Sequence, residues 1–163
     1  PARGSVSRTA RVSVARRNPK SAFWHNQAGV AYDALGDFEN AVKELKLAST
    51  LDTSNPTHDY ALYALYKRKG MHAEQREVLL DALERDPGNP VGRFEFASLL
   101  EKEGHWADAL REYRTAKTLV DAVKGPEYTD PRGNPYEVEF VRASVGQCID
   151  RVAKLQASKD AKN

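Results

Sequence analysis

Several features that would assign a chemical function are missing from this chain of 163 residues. It has a single cysteine, Cys148, which excludes an internal disulfide. No apolar run reaches the roughly 20 residues that a membrane-spanning helix needs, so the sequence predicts no span. It also lacks a GxGxxG or P-loop motif, a CxxCH haem site, and histidines at metal-ligand spacing. The sequence therefore predicts no catalytic residue, no metal site and no cofactor.

Acidic residues are absent from the first 20 positions. This stretch contains six basic residues, Arg3, Arg8, Arg11, Arg16, Arg17 and Lys20. The whole chain has 25 basic and 23 acidic residues, so the remainder has 19 basic and 23 acidic ones, a net charge of −4. Three valines in this stretch suggest the alternation of an extended chain: Val6, Val12 and Val14. The pattern therefore predicts that residues 1–20 form a basic, extended N-terminal arm.

The basic arm is a candidate contact with a partner protein or a neighbouring subunit. Its predicted contact residues are Arg8, Arg11, Arg16 and Arg17. The acidic remainder and the lack of interleaved aromatic residues argue against nucleic acid. An anionic membrane surface and a disordered, solvated tail stay open as alternatives.

A period of 34 residues organises the middle of the chain. Three glycines recur at this period, Gly36, Gly70 and Gly104, and so do three alanines, Ala48, Ala82 and Ala116. Such a period is typical of stacked helix pairs. The glycines fit a tight turn inside each pair, because that turn needs left-handed backbone angles. The pattern predicts three repeats, 22–55, 56–89 and 90–121, within a domain at 21–121.

The residues after the third repeat divide into three further segments. Proline and glycine predict a turn-rich connection at 122–135. A capping helix follows at 136–157, with Asn134 as its N-cap and Pro135 in its first turn, and then a frayed tail at 158–163. Apolar residues at helical spacing from Val138 to Leu155 predict that this helix covers the exposed end of the stack.

The first repeat resembles the tetratricopeptide repeat (TPR). The residues that carry the resemblance are Ala28, Gly29, Tyr32, Gly36, Phe38, Ala41, Leu45, Ala48 and Asp52. The resemblance extends over residues 22–121. It implies an all-α, right-handed solenoid of antiparallel helix pairs. It also implies that the first helices line a concave groove, which binds an extended or helical segment of a partner protein.

The middle repeat departs from this pattern at two positions. Tyr63 and Gln75 stand where the other repeats have small residues. Because bulky side chains at a close helix contact force the helices apart, we expect this pair to be locally irregular.

The TPR pattern also implies which residues form the floor of the groove. These groove residues are Phe23, Asn26, Gln27, Val30, Asp33, Tyr60, Ala64, Lys67, Phe94, Glu95, Ser98 and Glu101. TPR domains that bind acidic chaperone tails use a clamp of Lys, Asn and Arg. The matching positions here read Asn26, Val30, Ala61, Val91 and Glu95, of which the first is polar and none is basic. The missing cations argue against such tails. We expect an apolar or mixed segment, with some basic character to meet the acidic groove residues.

Together these patterns predict a non-catalytic protein-interaction scaffold or adaptor. The alternative is a structural subunit, built permanently into a larger complex or a homo-oligomeric filament through its arm and helix faces. A homo- or hetero-oligomer stays open. The sequence slightly favours a cytoplasmic location and leaves periplasmic and membrane-associated locations open. The chain begins at Pro1, and initiator Met removal, cleavage of a targeting segment and a late start of the chain all stay open.

Overall fold

A computed structural model describes residues 7–130 and 135–162. Its helices are α1 (Arg8–Arg17), α2 (Ala22–Ala34), α3 (Phe38–Leu51), α4 (Thr57–Lys69), α5 (His72–Arg85), α6 (Pro90–Lys102), α7 (Trp106–Ala122) and α8 (Glu139–Asp160). Two short strands, β1 (Glu127–Thr129) and β2 (Pro135–Glu137), lie between α7 and α8. The chain forms two compact units, Pro1–Asp81 and Ala82–Asn163, whose boundary falls within α5.

The three periodic glycines lie in the turns between paired helices, as predicted. Gly36, Gly70 and Gly104 have φ of 78°, 69° and 79°, in the left-handed region that glycine tolerates best. In each turn the following N–H donates to the carbonyl five residues earlier, a bond that closes the first helix of the pair. These bonds are Asp37 to Tyr32, Met71 to Tyr66 and His105 to Leu100. The same turn therefore recurs three times.

The first helix pair packs with unusually close backbones. A Cβ atom at Gly29 would lie 2.5 Å from Leu45 Cγ and 3.2 Å from the Ala41 carbonyl oxygen, so only glycine fits without movement. Ala41, Leu45 and Ala48 on α3 are almost fully buried. The Asp37 side chain caps α3 by accepting from the Asn40 N–H. Small residues thus set the separation between α2 and α3.

The basic N-terminal segment is helical over Arg8–Arg17, so the prediction of an extended arm is wrong there. The Ser7 hydroxyl accepts from the Ala10 N–H and caps α1. α1 packs against α2 and buries Ala15. The packing of α1 against α2 therefore outweighs the strand preference of the alternating valines. The last residues of α1 and α3 are one 34-residue period apart, Arg17 and Leu51. Residues 1–6, including Arg3 and Val6, lie outside the described residues.

The middle repeat keeps the helix lengths of the first, since α4 and α2 have 13 residues each and α5 and α3 have 14. Gln75 is buried, and its amide donates to the Tyr66 carbonyl at 3.4 Å. Tyr63 is also buried. Neither bulky residue interrupts its helix.

The connection after α7 contains an antiparallel hairpin, in which Tyr128 lies opposite Tyr136. The Tyr128 hydroxyl donates to the buried Asp86 carboxylate at 2.8 Å. Burial raises the pKa of Tyr128, and so does this hydrogen bond, so the hydroxyl keeps its proton. The hairpin is therefore fastened to the loop that precedes α6.

The last helix is shifted from its predicted position. Pro135 belongs to β2, and the Val138 N–H donates to the Pro126 carbonyl, so α8 begins only at Glu139. The helix continues to Asp160, although the sequence predicts a frayed tail from residue 158. The predicted N-cap, Asn134, lies outside the described residues. Val141, Val145, Cys148 and Val152 are buried on the side that faces α7. The apolar stripe of α8 thus packs against the preceding helix.

Replacing Tyr128 with phenylalanine should loosen the hairpin. The change removes the donor to a buried carboxylate, a loss of about 1.5 kcal/mol, or roughly tenfold in an equilibrium constant. We expect hydrogen exchange of the β1 and β2 amides to accelerate by about that factor. The stability of the helices, followed by Trp106 fluorescence, should change less. Unchanged exchange in the hairpin would contradict the fastening role.

Candidate functional site

Two apolar side chains project from one face of α2. Phe23 is 58% exposed and Val30 is 40% exposed, and their spacing of seven residues places them on the same side of the helix. The Phe23 ring packs edge-to-face on Trp24, with centroids 5.0 Å apart. Apolar groups held in this way are available for contact with another molecule.

The other predicted groove residues of the first unit differ in how far they are buried. Gln27 lies half-buried on the α2 face, and Tyr60 and Ala64 lie half-buried on α4, which packs against α2. Lys67 is exposed, with its ammonium 5.6 Å from the centre of the Tyr63 ring. Asn26 is only 9% exposed, and its Oδ1 has no hydrogen-bond partner among the described residues.

Two acidic groove residues are paired with arginines of the same chain. Arg68 on α4 donates to Asp33 on α2. Arg151 on α8 donates to both carboxylate oxygens of Glu101 on α6, at 2.7 and 2.8 Å. Asp33 and Glu101 stand two periods apart, so the same link recurs in each unit. Because both charges are balanced internally, these acids give little reason to expect a basic partner.

Glu101 also accepts a hydrogen bond from the buried Tyr113 hydroxyl at 2.8 Å. The Arg151 guanidinium holds the pKa of Glu101 below its ordinary value, against the effect of burial, and the Tyr113 bond adds to the lowering. Burial raises the pKa of Tyr113. The carboxylate is therefore ionised and the phenol protonated, which fixes the direction of both hydrogen bonds.

One predicted groove residue of the second unit, Phe94, belongs to an aromatic cluster. Phe94 packs edge-to-face on Tyr113 and on Phe140, with centroids 5.4 and 5.7 Å apart. Phe140 is 44% exposed, whereas Phe94 is half-buried, as are Glu95 and Ser98. Sequence reasoning missed Phe140. Its position off the apolar stripe of α8 is the signal that could have indicated an exposed aromatic residue.

The predicted contact residues of the arm lie on α1. Arg8, Arg16 and Arg17 are exposed, and Arg11 is half-buried. Among the residues that the structure describes, no helix is long and apolar enough to cross a membrane. The same residues include no group of three or more His, Cys, Asp or Glu side chains that could hold a metal ion.

Comparison with known proteins identifies one repeat and two similar folds. Residues 24–55 match the family model of the tetratricopeptide repeat. The fold is similar to the crystal structure of MamA, with a TM-score of 0.60 and 16% identity over 96% of this chain and 90% of that one. It is also similar to the crystal structure of PcrH in complex with the chaperone binding region of PopD, with a TM-score of 0.61 and 18% identity. That similarity covers 78% of this chain and 87% of that one.

No curated protein matches the sequence. Identities this low establish a common fold and nothing about ligands. The recurring glycine turns, the close-packed helix pairs and the match at 24–55 nevertheless agree with one another. Residues 24–55 therefore match a tetratricopeptide repeat, and the chain as a whole has an all-α fold similar to those of the two solved structures.

Proposed function

We propose that this protein is a non-catalytic interaction module that holds an extended or helical segment of a partner protein against its groove residues. TPR repeats generally mediate protein–protein interaction. The observation that carries the proposal is the pair of exposed apolar side chains on α2, Phe23 and Val30. A large fraction of each side chain stays exposed in the described fold and can be buried against a partner.

Further support comes from the chemistry of the surrounding residues. Aromatic side chains lose little conformational entropy on binding and are enriched among the residues that dominate interface energies. Phe140 supplies a second exposed ring in the other unit. PcrH, which has a similar fold, has been crystallised with the chaperone binding region of PopD, a segment of another protein. These observations favour a segment with apolar anchor residues.

A random peptide library displayed on phage and selected on the immobilised protein would test this proposal. We expect peptides with apolar residues to be enriched, and their affinity can be measured by fluorescence anisotropy. Replacing Phe23 and Val30 together with serine should weaken binding by about tenfold or more, because anchor residues commonly contribute over 1 kcal/mol each.

The matched control replaces Leu47 and Leu51 with serine. These leucines are 37% and 39% exposed on α3, a second helix, so their loss removes similar apolar area away from the groove residues. Peptide affinity should stay within about twofold of wild type. Equal losses in the two double variants, or a selection that yields no binding peptide, would overturn the proposed groove.

The second candidate function is a structural subunit of a larger assembly. Leu47 and Leu51 favour it, since they lie one turn apart and expose an apolar strip on α3. Light scattering after size exclusion would detect self-association. Assembly that disappears in the Leu47→Ser, Leu51→Ser variant would support this role, and a monomer at every concentration would exclude self-assembly.

A further inference from the structure

Positive charge is concentrated at one end of the first unit. The first acidic residue of the chain is Asp33, so residues 1–32 contain six basic residues and no acidic one. Five of the six fall within the described residues, Arg8, Arg11, Arg16, Arg17 and Lys20. α1 therefore has no acidic residue of its own to balance its arginines.

Four of these cations form no side-chain bond that links parts of the described fold. Arg8, Arg16, Arg17 and Lys20 are exposed, and they form no side-chain hydrogen bond or ion pair in the described parts of the chain. Other arginines differ sharply in this respect. Those that pair with a carboxylate on another helix include Arg68, Arg93 and Arg151.

Helix stability explains only part of this pattern. Arg16 and Arg17 lie in the last turn of α1, where a cation interacts favourably with the helix dipole. Arg8 is the first residue of the helix, where the same dipole disfavours a cation. Lys20 lies beyond the helix end. The placement of Arg8 and Lys20 thus has no explanation in the stability of α1.

An exposed aromatic residue, Phe23, lies close in sequence to the last of these cations, Lys20. Phe23 follows Lys20 by three residues and is 58% exposed. The loop between α1 and α2 forms an open concavity of about 440 Å³. Its lining residues are Arg17, Asn18, Pro19, Lys20 and Ser21. The concavity thus contains two cationic side chains, Arg17 and Lys20, and Phe23 follows it in the first turn of α2.

We propose that Arg8, Arg16, Arg17, Lys20 and Phe23 form a basic–aromatic surface that binds an acidic segment of a partner protein. That segment would carry an apolar side chain among its carboxylates. Guanidinium groups bind carboxylates through paired, charge-assisted hydrogen bonds. The Phe23 ring offers an apolar contact next to them.

Two other polyanions fit this surface less well. A bilayer would require an apolar helix face for insertion, but α1 packs its apolar side, including Ala15, against α2. Nucleic acid would extend beyond this short surface, and the net charge of −4 on residues 21–163 would repel its phosphates. A short acidic peptide needs no helix face for insertion and is small enough to stay on the basic surface.

This inference adds to the proposed function, because Phe23 belongs to both surfaces. The four cations belong only to the basic–aromatic surface. Replacing Arg16 and Arg17 leaves the exposed face of α2 unchanged. Loss of acidic-peptide binding can therefore be distinguished from loss of groove binding.

The probe is a fluorescent synthetic peptide in which aspartates and glutamates flank one phenylalanine. We expect its anisotropy to show binding that weakens as salt is raised, because exposed charges are screened. Replacing Arg16 and Arg17 with glutamate should weaken binding by about tenfold. Phe23→Ser should weaken binding of this peptide more than that of a version whose phenylalanine is serine.

A matched control reverses two exposed lysines of the second unit, Lys154→Glu and Lys162→Glu, and changes the net charge equally. Its affinity should equal that of the wild type. The milder Arg16→Gln, Arg17→Gln variant, checked for helix content, guards against misfolding and should also bind weakly. Full affinity in both arginine variants would overturn the proposal. So would equal binding of a lysine-substituted peptide, or tighter arginine-dependent binding to phosphatidylserine vesicles or duplex DNA.

Discussion

Replacing Gly29 with valine is expected to lower the free energy of unfolding of the first unit by about 1–3 kcal/mol. Even the first added carbon would lie 2.5 Å from Leu45 Cγ and 3.2 Å from the Ala41 carbonyl oxygen. Leu45 is 2% exposed and has little room to move. The backbone oxygen moves only if α3 moves, so the two helices must separate.

The measurement can be confined to one unit because the chain has two tryptophans, Trp24 and Trp106. In a Trp106→Phe background, urea unfolding followed by fluorescence reports only on Trp24, in the first unit. The matched control is Gly146→Ala in α8, where an added Cβ meets no atom within 4 Å. Measured by Trp106 fluorescence, this control should raise the free energy of unfolding of the second unit by about 0.5–1 kcal/mol, because alanine has a higher helix propensity than glycine. Two glycines inside helices should thus give opposite signs. Unchanged or higher stability in Gly29→Val would contradict the close approach.

Glu101→Gln should destabilise the second unit by about 1.5–2 kcal/mol at neutral pH. The substitution removes the negative charge that accepts hydrogen bonds from Arg151 and Tyr113. Hydrogen bonds to charged groups contribute about 1.5–3 kcal/mol. Because the Arg151 side chain is about half exposed, water screens the pair and the loss should lie near the lower end of that range. Trp106 fluorescence in a Trp24→Phe background would report this change during urea unfolding.

The pH dependence gives this prediction a second readout. The folded pKa of Glu101 lies below the ordinary 4.5, so the folded state binds this proton less readily than the unfolded state. The carboxylate therefore contributes its full stability above about pH 4.5, and the contribution is lost as the pH falls through the folded pKa. The difference in free energy of unfolding between wild type and Glu101→Gln should therefore shrink as the pH falls below about 4.5. Asp150→Asn, on the exposed side of α8, should show no such convergence. A difference independent of pH would contradict the ion-paired role of Glu101.

The period alone was sufficient to predict the helix pairs, because glycine is almost obligatory where φ is positive. Each of Gly36, Gly70 and Gly104 marks a turn that any side chain would strain. The helix at Arg8–Arg17 could not be predicted in the same way. Its sequence has no clear apolar stripe, and contact with α2 decides its conformation. The start of α8 was also missed, because the bond from the Val138 N–H to Pro126 depends on the hairpin.

The candidate site was harder to predict than the fold. Family spacing indicates which faces carry Phe23 and Phe94, but exposure depends on what packs beside each ring. Phe94 packs against Phe140, which comes from a helix outside the repeats. Glu101 meets an arginine 50 residues away, across a connection of irregular length. No period relates these positions, so only the folded chain brings them together.

The hairpin bond has a consequence for the order of events in folding. Helices that are neighbours in the sequence make most of the contacts within each unit, and such local contacts form quickly. The bond from Tyr128 to Asp86 instead closes a loop of 42 residues, and the entropic cost of closure rises with loop length. It should therefore form after α6 and α7 have paired, on the native side of the transition state. An interaction formed that late slows unfolding while leaving the folding rate almost unchanged. The hairpin thus prolongs the lifetime of the folded second unit without taking part in its nucleation.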